Sequence, residues 1–262
     1  MWRMILDRRG FISAMPALMV SGAVAEADTE RKTRFYVLEQ YLLEQGPQTS
    51  RIHDFFSKAL LPALDRVYRG PKIFLEAIAA PHMPLVTTIF GIESAGQVWD
   101  IAKQIFADEN FVRAFEQWES GAAPYVVSSA ILLEATSYSP EIVAPEKPIE
   151  KPRIFELRTY HSPTMRQRKA LDARFAGPEI KIFHRSGIYP VFYTSTVFGP
   201  NRPNLTYLIP FESLAAREKA WNTFGADEEW IRVRNESVER DGQITAVIDL
   251  SLHRATAYSP IR

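Results

Sequence analysis

Few residues in this chain have the types and spacing to do chemistry, and most of them fall in two extended runs. In Ile154-Phe-Glu-Leu-Arg-Thr-Tyr160 the side chains alternate sides, so Glu156, Arg158 and Tyr160 share one face. Arg34-Phe-Tyr-Val-Leu-Glu-Gln-Tyr41 repeats the pattern with Val37, Glu39 and Tyr41. A carboxylate, a guanidinium and a phenol on one buried face need partners, and an Arg158–Glu156 or Arg158–Glu39 pair would supply them. Such a set either fixes sheet register as an ion-pair network or lines a ligand cavity. His184, beside Arg185 and before Gly187, suits the C-terminus of a helix as a cation. The same imidazole is also the candidate general base or axial ligand.

Other chemistries are excluded by what the chain lacks. It has no cysteine, which removes disulfides, thiolate metal sites and cysteine nucleophiles. Its five histidines, at 53, 82, 161, 184 and 253, never stand three or four apart, so no metal site is expected. His161 follows the first run without a companion and reads as a surface-loop residue. No glycine-rich phosphate loop, H-E-x-x-H or G-x-S-x-G occurs. Basic and acidic residues balance at 31 each, so no charge excess draws the chain to nucleic acid. Aromatic groups at helical spacing (Trp221, Phe224 and Trp230; Trp99, Phe106, Phe111, Phe115 and Trp118) read as helix–sheet core. Arg232 and Arg234 read as a solvated helix face.

The elements that must position these residues come twice. A shift of 119 residues lays Arg34–Tyr41 on Arg153–Tyr160, Glu93-Ser94 on Glu212-Ser213, and Ala107-Asp-Glu109 on Ala226-Asp-Glu228. One residue more lays Ala135–Pro140 on Ala255–Pro260. Each copy scans as strand, helix, strand, strand, helix, strand. In the second copy these are strands at 154–160, 189–198, 205–211 and 244–252, a helix over 164–186, and helices over 214–224 and 228–240, the last capped by Asp227. In the first, Ser50 is expected to cap a helix over 52–68. The βαββαβ order predicts a ferredoxin-like unit, an antiparallel sheet with both helices on one face. The fold expected is therefore α+β: two tandem ferredoxin-like repeats packed sheet to sheet as an intramolecular α/β barrel, a monomer that supplies its own pseudo-dimer. With the apolar set Phe155, Leu157 and Thr159 under the helices, Glu156, Arg158, Tyr160, Glu39 and Tyr41 are expected to face the space between the sheets.

Residues 1–27 read as an export signal. Arg8-Arg9 precede the apolar stretch Phe11–Val20 and the small residues Ala23–Ala25, the order of a secretory signal, and Arg8-Arg9-Gly-Phe-Ile resembles the twin-arginine motif. The apolar run is too short to span a bilayer, so no membrane span is expected once the signal is gone. The remaining organisation is a first repeat over 28–140, a proline-rich solvated linker over 141–152 and a second repeat over 153–262.

Ile154–Tyr160, Pro178 with His184-Arg-Ser-Gly187, Phe211–Glu218, Ala226-Asp-Glu-Glu-Trp230 and Tyr258-Ser-Pro260, in that order, resemble the NIPSNAP family. Residues 34–140 resemble a degenerate copy, with Glu39, Asp65 and Phe111 at the positions of Arg158, His184 and Trp230. The resemblance implies a dimeric α/β barrel and an activity that is not settled. Its wider superfamily includes haem-dependent enzymes and cofactor-free monooxygenases, which makes haem the one cofactor to consider and Glu156, Arg158, Tyr160, His184, Glu39 and Tyr41 the candidate ligand-binding set. The function expected is an exported barrel that binds a small molecule between its sheets. The alternatives are a monooxygenase-like or haem-dependent enzyme, and a structural barrel without ligand.

Overall fold

A computed structural model describes residues 33–143, 149 and 151–262. Residues 1–27, expected to be an export signal, and half of the proline-rich linker lie outside the described residues. The first repeat runs β1 (Phe35–Leu42), α1 (Pro47–Phe55), α2 (Leu61–Val67), β2 (Lys72–Ala79), β3 (Leu85–Ile92), α3 (Gln97–Ile105), α4 (Glu109–Glu119) and β4 (Val127–Ala135). The second runs β5 (Ile154–His161), α5 (Met165–Arg174), α6 (Ile180–Arg185), β6 (Phe192–Phe198), β7 (Asn204–Phe211), α7 (Leu214–Ala226), α8 (Glu228–Asp241) and β8 (Val247–Ala255). A single π-helical turn joins α1 to α2 (Phe56–Leu60) and another joins α5 to α6 (Phe175–Glu179), at the same place in both repeats.

The strands close into one barrel in the order β1-β3-β2-β8-β5-β7-β6-β4. Each repeat supplies four neighbouring strands, and the two sheets join edge to edge, β2 to β8 and β4 to β6. Closure leaves neither sheet with an open edge at those seams. The seams match. Ala77 and Ala79 straddle a register shift against His253 and Leu252, as Thr196 and Phe198 do against Leu133 and Leu132. Each seam pairs over only part of its length, so the barrel flares toward the end where β1 and β5 finish.

Three apolar clusters follow from this arrangement. Phe56, Phe74, Phe90 and Phe111 pack between sheet and helices in the first repeat. Phe175, Phe183, Tyr207 and Phe224 do so in the second. Tyr36, Leu38, Leu133, Phe155, Leu157 and Phe192 fill the barrel interior. The aromatic groups belong to the helix–sheet cores as expected, except Trp99, which is exposed. Arg232 lies on the exposed face and pairs with Glu236.

Three local expectations are corrected. Ser50 caps nothing. α1 starts at Pro47, whose missing N–H suits the first helical position, after Gly46 at φ +119°. The last strand begins at Val247, because Ile244 is tied to Ser162 through its carbonyl (2.7 Å) and packs under the helices. At the start of the linker Glu141 and Val143 are exposed as expected, and one residue between them is not. Ile142 is buried and, with Ile261, closes the barrel end opposite the flare. Asp227 does cap α8, accepting from the Trp230 N–H at 3.0 Å.

Candidate functional site

The predicted site residues do not meet in one place. Glu156, Arg158 and Tyr160 point away from the barrel interior, toward α7 of their own repeat. Val37, Glu39 and Tyr41 point toward the helices of the first. It is Phe155, Leu157 and Thr159 that face inward, with Tyr36, Leu38 and Gln40 opposite. The expected parity is inverted, and no Arg158–Glu39 pair forms. The reason is the supply of partners. Beneath the second-repeat helices the Arg217 guanidinium and the Trp221 indole of α7 complete the partners of the buried Glu156 carboxylate.

Beneath the second helix layer Glu156 is fully buried and accepts from the guanidiniums of Arg158 and Arg217 and from the Trp221 indole at 3.1 Å. The Arg158 guanidinium lies 3.9 Å from the Trp221 ring centroid and donates to the Tyr160 hydroxyl at 3.0 Å. Burial opposes its charge, yet the surrounding phenols and Glu156 outweigh that and raise its pKa above the ordinary arginine value. Close by, Glu179 on the π-helical turn accepts from Arg174 at 2.6 Å. Burial pushes its pKa up to about 7 against the pull of Arg174. In the first repeat Glu39 has the Tyr41 hydroxyl at 2.7 Å, and burial raises its pKa too. These are packed networks that brace helices on a sheet.

His184 is exposed on α6 and stacks on Tyr189, ring centroids 5.1 Å apart. Arg185, beside it, pairs with Asp227 and Glu229 at the start of α8. A haem needs an axial side chain aimed into a cavity that holds the macrocycle. His184 borders neither the cavity at the flared end nor the one beside Ile142 and Ile261, so it does not fit that role. Among the described residues no three of His, Asp and Glu gather as a metal site.

The flared end of the barrel encloses a cavity of about 700 Å³. Its floor is apolar, with Leu38, Leu133 and Leu157, and on the first-repeat side Leu42, Leu85 and Ile131 stand beside Gln40, Ser129 and His82. The second-repeat wall is polar. Thr159 and Thr206 share a hydroxyl–hydroxyl bond of 3.0 Å, and Ser251 lies next to them. At the mouth His161 Nε2 is 2.7 Å from the Asp249 carboxylate and Nδ1 is 3.1 Å from the Asn201 carbonyl oxygen. So His161 ends β5 inside the cavity mouth and has a companion, contrary to the surface-loop reading. Behind Ser251, His253 is fully buried, its Nε2 2.8 Å from the Ser251 oxygen. Burial alone depresses its pKa to about 4, which keeps the ring neutral.

Ser251, His253 and Asp249 were missed by sequence reasoning, but a signal existed. Register pairs Thr159 with Asp249, Leu157 with Ser251 and Phe155 with His253, so the three share the inward face of β8. On the first repeat the corresponding β4 positions are Ser129, Ile131 and Leu133. An apolar-to-polar change between matched strands marks where one copy departs from plain packing.

A profile described as NIPSNAP matches residues 155–260. The match falls on the second repeat and leaves the first outside it. No curated protein sequence matches the chain. Among solved structures, an anthrone oxidase-like protein shares the fold with a TM-score of 0.53 at 13% identity, over 87% of this chain and 92% of the other. A monooxygenase-like protein from Fusobacterium nucleatum also reaches 0.53, at 8% identity over 85% and 92%. A variant chlorite dismutase from Candidatus Nitrospira defluvii reaches 0.50, at 9% identity over 87% and 93%. At such identities the likeness speaks for the fold, a dimeric α/β barrel that this chain builds from the repeat the profile matches and the repeat before it.

Proposed function

We propose that this barrel binds a small, largely apolar molecule in the open end of its interior. The observation that carries the reading is the cavity itself. Its volume of about 700 Å³ lies within the usual range for small-molecule sites, roughly 300–1,000 Å³. Apolar walls with a few converging polar groups are the usual lining of such sites. The opposite end is filled by Tyr36, Ile73, Phe155 and Phe192 and closed by Ile142 and Ile261, so a ligand enters from one side. Both seams close within one chain, and the site needs no second copy.

Titration of the chain from residue 28 with Nile red, a neutral apolar dye, tests this. Saturable binding of one dye per chain is expected, weakened at least tenfold by Leu157→Trp, which fills the floor. Absence of saturable binding, or binding indifferent to Leu157→Trp, would overturn the reading.

We further propose export through the twin-arginine route, supported by Arg8-Arg9 ahead of the apolar run and the small residues before position 28. Residues 1–27 fused to a reporter should direct it out of the cytoplasm, and replacing both Arg8 and Arg9 with Lys should stop this. Export that survives the double replacement would refute the route.

A further inference from the structure

We propose that the ligand is a neutral molecule carrying a carbonyl oxygen, and that the Ser251 hydroxyl, positioned by His253, donates a hydrogen bond to that oxygen. This rests on the cavity reading above and names its ligand class.

Charge sets the first part. No lysine or arginine lines the cavity, while Asp249 stands at its mouth. The basic side chains that line the cavity are the exposed His82 and the half-buried His161, the latter already held by Asp249, so an anion would leave water and gain no free cation in the interior, and a neutral ligand is selected. The apolar floor and Leu42, Leu85 and Ile131 take its hydrocarbon body.

Hydrogen-bond accounting sets the second. His253 has one polar partner, the Ser251 oxygen, and its Nδ1 has none. Two neutral tautomers exist. With the proton on Nδ1, a buried N–H is orphaned. With the proton on Nε2, only a lone pair is left bare, the less costly of the two because orphaned buried N–H groups are the rarer. In that tautomer Nε2–H donates to the Ser251 oxygen. The serine O–H is then free, and Ser251 borders the cavity. The Thr159–Thr206 pair adds to this, since one hydroxyl donates to the other and a second O–H is left over. The polar wall therefore offers donors, and a carbonyl oxygen is the neutral group that accepts from them.

Comparison with the first repeat separates this from packing. Ile131 and Leu133 occupy the seats of Ser251 and His253, and Leu133 is buried in the same interior cluster. The seat is filled well by leucine, so a buried imidazole there is not needed to close the barrel. It positions the serine.

The test is displacement of Nile red by three probes of one shape: 9-fluorenone, fluorene and fluorene-9-carboxylate. Fluorenone is expected to bind roughly fivefold or more tighter than fluorene, the usual worth of one hydrogen bond, and the carboxylate weakest. Ser251→Ala should bring fluorenone down to the level of fluorene and leave fluorene unchanged. His253→Leu should also erase the preference, whereas His253→Gln, whose amide still donates to Ser251, should keep part of it. Equal binding of fluorenone and fluorene to the wild type, a preference that survives Ser251→Ala, or tightest binding of the carboxylate would overturn the ligand class and leave the cavity reading intact. Failure of Nile red itself to bind would fell both.

Discussion

The two repeats build one barrel from the same elements and divide the labour unequally. Facing the interior, the first offers Leu42, Ile131 and Leu133 where the second has His161, Ser251 and His253. Under the helices the first has Val37 and Glu39 where the second has Glu156 and Arg158. The seams, the π-helical turns and the apolar clusters are retained in both. A duplicated fold needs only its patterning to close, so one copy can lose its polar groups and still serve as wall. The NIPSNAP profile stops at the same border: it covers 155–260, the repeat that carries the polar groups.

The largest expected contrast is in stability. Arg158→Ala strips a fully buried carboxylate of one guanidinium, and removing one partner of a buried pair costs about 3–5 kcal/mol. Glu39→Gln in the first repeat keeps an acceptor for Tyr41 and should stay within about 1 kcal/mol of wild type. Denaturant unfolding measures both, and similar losses at the two sites would break the comparison.

A smaller contrast depends on pH. His253 has its pKa depressed from 6.5 to about 4 by burial, so between those values the unfolded chain binds the extra proton. The wild type therefore holds this share of stability above pH 6.5 and loses it as pH falls toward 4. His253→Leu, which installs the first-repeat residue, removes the loss. The difference between the two proteins should shift in favour of the variant by on the order of 3 kcal/mol across that window. A difference that stays constant from pH 7 to 4 would mean that His253 is not buried as a neutral ring.

The sequence shows the barrel plainly and its working face poorly. The repeat offset, the βαββαβ order and the strands at 154–160 and 205–211 follow from patterns that survive duplication. Which face of each strand turns inward does not. β3 is buried on both faces along its whole length, and β1 and β5 nearly so, so alternation separates two sets of residues without saying which side either occupies. The helix-side partners of the charged set, the Arg217 guanidinium and the Trp221 indole N–H, lie far along the chain, so local alternation carries no sign of them. His184 looked functional by its motif, but α6 sets it on the surface, stacked on Tyr189. The inward polar set on β8 runs on to His253, past the expected strand end at 252, because β8 continues to Ala255 in pairing with β5 and β2.

The parity of the strands is the claim on which the cavity, its ligand and the contrast between repeats depend. Because the chain has no cysteine, single introduced thiols report it directly. Thr159→Cys places a thiol in the cavity wall, and Thr88→Cys places one opposite Glu39 under the helices. Reaction of each with methyl methanethiosulfonate in the folded protein, with and without Nile red, is the measurement. The structure predicts that the thiol at 159 is modified and that bound dye slows the modification, while the thiol at 88 stays inert until the protein unfolds. A reactive, dye-protected thiol at 88 beside an inert one at 159 would contradict the account.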